Sequence, residues 1–425
     1  AQLVYDAATG KLTDIFTDES VMGNFTQTSV SPKAINVSTL SDEIRIDGAG
    51  IARVAAFAPD HSLALLMAGH AGNTAAWIDS KSGKWATTTW YKETPREISS
   101  RNYKQPLTSR LDTARWIPAA KTLQLPWLPE SKSKYPFTYT YPAKDADRVE
   151  AFKYSPLVNT EITDVAIEYL KSMTPTQGKG INVLNIGYQL SQYPYARTAD
   201  TRTETADAYI RLDADLSRLF KAADEAAAGG AKVIMLSGIP ATTPYRRDDE
   251  QWRIPWGKFS PQKAMGLLNM YLMAVHGNGE WVKGYNDKQF YLNRKLAKDK
   301  NLDIADLRDE AASFLSQMSG VVKAETLDEA LSKDAAGNIN TTYAGDILIT
   351  VNPGWEIESA TNGSIRTANS GVERIANVQM PFYILAPELG NVKIGNTIDA
   401  RAIAPSVCRL LRIRSPGGAS LSPVF

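Results

Sequence analysis

Apolar and polar positions follow one another along the chain in blocks that predict strands and helices in turn. IARVAAFA (51–58) and SLALLMAG (62–69) read as strand-like apolar runs, and INVLNIGY (181–188) as a third. Beyond it, Tyr209, Leu212, Leu216, Leu219 and Phe220 recur at three- and four-residue spacing, which predicts a helix over 202–228. Gly229-Gly230 closes that helix, and AKVIML (231–236) reads as a buried strand. A strand, a helix and a strand in that order predict a right-handed parallel crossover. Further helices are expected over 261–275, with Ser260 as N-cap and Pro261 in the first turn, and over 303–317, 326–332 and 403–413. DILITV (346–351) and PFYILA (381–386) complete the strands. The stretch 86–160 is rich in Tyr, Trp, Thr and Pro without a clear period and reads as a cap-like insertion; 250–340 reads as a second one. No internal repeat or low-complexity tract interrupts the pattern.

Composition narrows the class. The 425 residues are 43% hydrophobic and 22% charged, as in a folded globular protein. A net charge of +1 provides no field to gather nucleic acid or an anionic membrane surface. No apolar run approaches the ~20 residues of a membrane-spanning helix. No signal peptide is present as written, although Ala1-Gln2 suits the residue left by a signal peptidase. The single cysteine, Cys408, lies in the apolar helical stretch AIAPSVCRLLRI without a local histidine and reads as a buried structural thiol.

Candidate chemistry is sparse. The three histidines are His61, His70 and His276, and the chain carries no HExxH, CxxC, GxSxG or P-loop motif. His276 ends a predicted helix and reads as a C-terminal cap. Asp213 and Asp215 read as solvated or paired with Arg211 or Arg218, and Asp248, Asp249 and Glu250 as a solvated loop. His70, in a loop after an apolar run, is the best single functional candidate, set against a hydrogen-bonded structural role. The loop 187–196 follows a strand, where an open α/β sheet places its ligands, yet from Val183 to Ala199 there is no Asp, Glu, His or Cys.

The run APDHSLALLMAGHAGNTAAWIDSKSGKWATTTWY (58–91) resembles the alkaline phosphatase superfamily, in its type I phosphodiesterase/nucleotide pyrophosphatase-like branch, and within it the phosphate-irrepressible periplasmic enzymes. LVYDAATGK (3–11), SPKAINVSTLSDEI (31–44), ETADAYIRLDADLSRL (204–219), GNGEWVKGYNDKQFYLN (277–293), AGDILITVNPGWE (344–356), VQMPFYILAPEL (378–389) and TIDARAIAPSVCRLLRI (397–413) follow the family in order. The resemblance implies an α/β fold: a mixed, mostly parallel sheet between helix layers, as one domain over 1–425 with a two-zinc site at the strand ends. Two cations would clamp the attacking and leaving oxygens of phosphoryl transfer.

Residue by residue, the match removes the implied ligands. Counting back from Glu204 and Asp207 puts the family's Asp and His at Gln192 and Ala196. The next Asp-His pair falls on Ile239-Pro240, and the last metal histidine on Ser370, before Gly371. The family's Lys-Asp-Arg triplet becomes Pro59-Asp60-His61, and its Asn-Asn becomes Gln2-Leu3. Neither zinc nor another cofactor is therefore expected. A vestigial pocket of Asp60, His61, His70, Gln192 and Ser370 is expected instead, without catalytic or metal residues. The implied nucleophile segment and first core strand lie upstream of the residues matched here. They are expected to be missing from the sequence rather than from the fold, because deleting a central strand would leave unpaired backbone groups. The resulting expectation is a degenerate phosphatase-like protein acting as a binding or scaffold subunit. It would be periplasmic or outer-membrane-associated in a Gram-negative bacterium, with a protein partner and no nucleic acid. Aromatics in TTTWYKETPRE and YPFTYTYP would suit protein or glycan contact. The alternative is a phosphate mono- or diester hydrolase with an altered site, using Asp60, His61 or His70.

Overall fold

The computed structural model describes residues 3–6, 11–128, 134–173, 181–198, 200–227, 229–238, 257–334, 339–358, 361–362, 365–366, 371–372, 379–386 and 395–425. Two compact units emerge. The first takes in Ala1, Phe16–Ile239 and Met380–Phe425, and the second Gln2–Ile15 and Pro240–Gln379.

In the first unit the elements that carry the argument are β1 (Gly23–Asn24), α1 (Leu40–Asp47), β2 (Arg53–Ala58), α2 (His61–Ala68), β3 (Thr74–Ile78), β4 (Trp85–Thr88), α3 (Arg96–Lys104), α4 (Leu157–Ser172), β5 (Asn182–Ile186), α5 (Arg202–Ala227), β6 (Ile234–Ser237), β7 (Phe382–Leu385) and α6 (Ile403–Leu411). A five-stranded mixed sheet runs β1-β4-β3-β2-β5. β2 pairs in parallel with β3 and with β5; β3–β4 and β4–β1 are antiparallel.

β2 is apolar on both faces because both are covered. Ala55 and Phe57 pack with Ile78, Trp85, Ile98 and Ile162 on one side, and Val54 with Ile44 and Ala52 on the other. The cap-like stretch contributes Ile98, Leu107, Leu111, Tyr141, Val149 and Phe152 to the first of these layers, so much of it is core. That layer also holds a charged centre. Buried Glu161 accepts hydrogen bonds from Trp85 Nε1 at 3.0 Å, from Arg101 Nη2 at 2.8 Å and from Arg110 Nη1 at 2.7 Å.

Two sequence expectations change. The apolar run 62–69 is helix α2, not a strand. Leu, Met and Ala favour a helix, Pro59-Asp60 turns the chain into it, and Gly69 stops it with φ of 67°. A side chain at Gly69 would also run into Thr39 and Asp42. Secondly, β5, α5 and β6 follow the expected order, but β5 and β6 do not pair. Among the described residues β5 ends the five-stranded sheet, and β6 pairs with β7 alone, antiparallel.

Cys408 is fully buried on α6, and burial pushes its thiol up to about 11. A thiol reagent at pH 8 is therefore expected to leave the native protein unlabelled and to modify one group per chain in denaturant. Rapid labelling of native protein would contradict this packing.

The second unit is built on a four-stranded antiparallel sheet in the order 282–286, 289–292, 347–351, 321–326. Its first hairpin turns at Asp287 and Lys288, both at positive φ (45° and 64°), as a two-residue primed turn requires. Helices Pro261–His276 and Ile304–Ser316 supply Leu268, Leu272, Leu307 and Leu315 to a core with Trp281, Phe290, Ile347 and Val351. His276 donates or accepts at 2.6 Å with Glu310, so it holds two helices together in addition to ending one.

Candidate functional site at the strand ends

β2, β3 and β5 run parallel, so the residues after them share one end of the sheet. That end receives Asp60 after β2, Asp79-Ser80 after β3, and the loop 187–196 after β5.

A buried lysine binds the first two. Lys153, from the helix Arg148–Lys153, is 5% exposed and donates to Asp60 Oδ1 and, at 2.7 Å, to Ser80 Oγ. Glu150 Oε2 stands 3.6 Å from the same ammonium. Burial would raise the Asp60 carboxyl, but the charge and hydrogen bond of Lys153 hold it below its ordinary value. Asp79 is likewise held low against burial, by Ser82 and Thr26. His61 follows Asp60 as the first residue of α2. Its ring packs edge-on against Phe16 and Trp77, at 6.5 and 5.9 Å between centroids.

His70 lies among structural bonds. Its Nδ1 meets Asp42 Oδ2 at 3.0 Å and its Nε2 meets the Ile35 carbonyl at 2.9 Å. Both partners are acceptors, so only an imidazolium donates both bonds at once. Asp42 also accepts from the Ala71 backbone at 2.7 Å and forms the N-terminal capping box of α1 with Thr39. The histidine thus joins α1 to the turn after α2.

The loop 187–196 is fastened by packing and amides. Asn159, buried on α4, donates Nδ2 to the Gln189 carbonyl at 2.8 Å and accepts the Gln189 N–H at 2.7 Å. Tyr188 Oη and Thr163 Oγ1 are 2.9 Å apart, and burial pushes the Tyr188 phenol up to about 12. Tyr193 is buried against Trp116 and Tyr139, with ring centroids 5.0 and 4.7 Å away. Ala196 packs at the edge of that aromatic cluster. Gln192 Oε1 is buried without a hydrogen-bond partner among the described residues.

Glu204 and Asp207, which anchor the motif count, serve the same framework. Tyr139 donates to Glu204 at 2.8 Å. Fully buried Asp207 accepts from Trp116 Nε1 (2.7 Å), Ala119 N (2.6 Å), Thr122 Oγ1 (2.7 Å) and Arg211 Nε (2.6 Å). Asp215 pairs with Arg218 at 2.9 Å. In TTTWYKETPRE and YPFTYTYP, Tyr91, Phe137, Tyr139 and Tyr141 are buried core, Trp90 is half-buried with its indole donating to the His70 carbonyl at 3.0 Å, and Tyr135 is exposed. Neither Lys153 nor Asn159 stands out in the sequence, since their partners lie 93 and 30 residues away. Ser370, Ile239, Pro240 and the acidic residues 248–250 lie outside the described residues.

No protein-family model matches the chain. Alkaline phosphatase PafA of Elizabethkingia meningoseptica is 23% identical over 444 residues, covering 99% of this chain and 80% of its own length. Alkaline phosphatase PhoV of Synechococcus elongatus is 23% identical over 434 residues, covering 92% of this chain and 72% of its own length. The crystal structure of wild-type alkaline phosphatase PafA superposes with a TM-score of 0.80 over 99% of this chain and 84% of that one, at 23% identity. The fold is that of the alkaline phosphatase superfamily.

Gln192 offers a neutral amide and Ala196 nothing; Asp60 is neutralised by Lys153. Among the described residues no group of three or more His, Cys, Asp or Glu side chains converges in a way that could hold a metal ion. None of the described helices is long and apolar enough to cross a membrane.

Proposed function

We propose that this chain is a catalytically degenerate member of the alkaline phosphatase superfamily that acts as a binding or scaffold subunit in the bacterial cell envelope, on the periplasmic side. One observation carries the reading: the strand-end loop 187–196 is built into the core by Tyr188, Gln189 and Tyr193 and offers no charged ligand. A catalytic zinc needs about three protein ligands. The residues at the matched positions do not fit a pair of zinc ions, because the sequence match puts Gln192, Ala196, Ile239, Pro240 and Ser370 where such ions require carboxylate and imidazole donors. With no cation clamp, the developing charge of phosphoryl transfer has nothing to stabilise it. The framework, in contrast, keeps the buried carboxylates of Glu161 and Asp207 fully hydrogen-bonded.

The corresponding assay uses an aryl phosphate monoester and the matching diester, with zinc supplied in excess. Hydrolysis indistinguishable from buffer is expected. Turnover that requires zinc and disappears with a chelator would defeat the reading.

A further inference from the structure

A cavity of about 190 Å³ lies between the helices Leu107–Leu111, Arg148–Lys153 and α4. One wall is apolar: Leu107, Leu111 and Phe152 are buried, and Leu157 is half-buried. The opposing lining is polar and includes Arg110, Glu161 and Asp164. Three bonds fix the Arg110 guanidinium. Nη1 and Nη2 donate to the two oxygens of Glu161 at 2.7 and 2.8 Å, and Nε donates to the Gln105 carbonyl at 3.1 Å. A guanidinium carries five N–H groups, so two of them have no acceptor among the described residues. The side chain is 36% exposed, so these donors are open to a ligand.

The acids of the same wall are already taken. Glu161 accepts from Trp85, Arg101 and Arg110, and Asp164 accepts from Arg101 Nη2 at 3.2 Å and from Arg218. A cation entering the cavity would find no unclaimed carboxylate, and an anion would be repelled by Glu161 and Asp164. The charge pattern therefore favours a neutral occupant. Size narrows it further: an apolar cavity of roughly 150 Å³ takes one benzene ring, so this one fits a single ring with a small substituent. A guanidinium held in one plane is a preformed surface for an aromatic face. Its two remaining donors call for an acceptor on the ring.

We propose that this cavity is a binding site for a small neutral aromatic molecule with one acceptor oxygen, a phenol being the simplest. The ring lies between the leucine wall and the plane of Arg110, and its oxygen accepts a free Arg110 N–H. This goes beyond the scaffold reading, because among the described residues the cavity shares no lining residue with the strand-end site and its chemistry owes nothing to phosphoryl transfer.

The test follows 4-fluorophenol by fluorine NMR as the 425-residue protein is added, with 4-fluorobenzoate and 4-fluorobenzylamine as the anionic and cationic rings. Saturable binding of the phenol is expected, at least tenfold tighter than that of either charged ring. Ala114, half-buried, also lines the cavity. Ala114→Phe would fill the space with a ring of its own and is expected to abolish saturation while leaving the urea midpoint unchanged. Should that variant fail to fold, Ala114→Leu fills less of the space and is expected to weaken binding at least tenfold. Three results would each overturn the proposal: no saturation with the wild-type chain, equal affinity for all three rings, or undiminished binding by the folded Ala114 variant. Because zinc content and hydrolysis do not read this cavity, failure here leaves the proposed loss of catalysis standing, and the converse also holds.

Discussion

Asp207→Ala is expected to destabilise the first unit by about 3–5 kcal/mol, the range for removing one member of a buried ion pair. Asp207 is fully buried and holds four donors: the Trp116 indole, the Ala119 amide, the Thr122 hydroxyl and the Arg211 guanidinium. Alanine would leave all four without their acceptor in a dry site. Unmade hydrogen bonds of this kind carry the full desolvation cost of each group. Arg211 also donates to the Ile117 carbonyl at 2.7 Å, so the loss would spread through 116–122. Trp116 stands at the centre of the aromatic cluster. Urea unfolding followed by tryptophan fluorescence, with limited proteolysis over 115–125, reads the effect. A variant with unchanged midpoint and unchanged proteolysis would show that the helix α5 staple contributes little. Asp207→Asn, which keeps one acceptor oxygen, is expected to fall between the two.

Glu161→Gln carries the second large effect, and it is pH-dependent. Burial would raise this carboxyl, but hydrogen bonds and charges from Arg101 and Arg110 hold it at about 2, below the reference of 4.5. A carboxyl lowered on folding stabilises the native state above its unfolded pKa. That contribution is lost as pH falls through the folded value. The difference corresponds to about 3 kcal/mol, fully present above about pH 5 and gone near pH 2. The wild-type protein should therefore lose stability steeply between pH 5 and 2, and Glu161→Gln should flatten that part of the profile. At pH 7 the variant should be destabilised by about 3–5 kcal/mol, because Arg101, 9% exposed, loses its principal anion. Denaturant midpoints at pH 3, 5 and 7 measure both. Parallel pH profiles for wild type and variant would contradict this account.

Much of this organisation is legible in the residues. The three- and four-residue spacing from Tyr209 to Phe220 marks α5, and Gly229 marks its end because the chain there takes φ of 81°. The apolar run at 62–69 is not resolved by periodicity: eight consecutive apolar or small positions fit a buried strand and a buried helix equally. What decides it is the three-dimensional need to return from β2 to β3. Two parallel strands require a crossover, and α2 supplies it. His70, the best single functional candidate in the sequence, makes hydrogen bonds to Asp42 and the Ile35 carbonyl of the kind its structural reading expects. Lys153 could not be paired with Asp60 from sequence, nor Trp116 with Asp207, because long-range polar partners leave no local pattern. The aromatics of 86–141 look like a contact surface by composition alone. In the fold Phe137 and Tyr139 pack around Trp116 and Tyr141 joins the sheet layer, whereas Tyr103, Trp127 and Tyr135 are exposed. The strand-end positions at Gln192 and Ala196 are visible only through the family resemblance, because a glutamine and an alanine in a loop otherwise signify nothing.

The central claim is that the strand-end site holds no metal pair. Its most direct test is the zinc content of the purified chain after equilibration with excess zinc and removal of free ion, read by elemental analysis. The account predicts well under one zinc per chain and no change in thermal unfolding on adding a chelator. Two zinc ions per chain, released by chelator with a fall in the unfolding temperature, would contradict it.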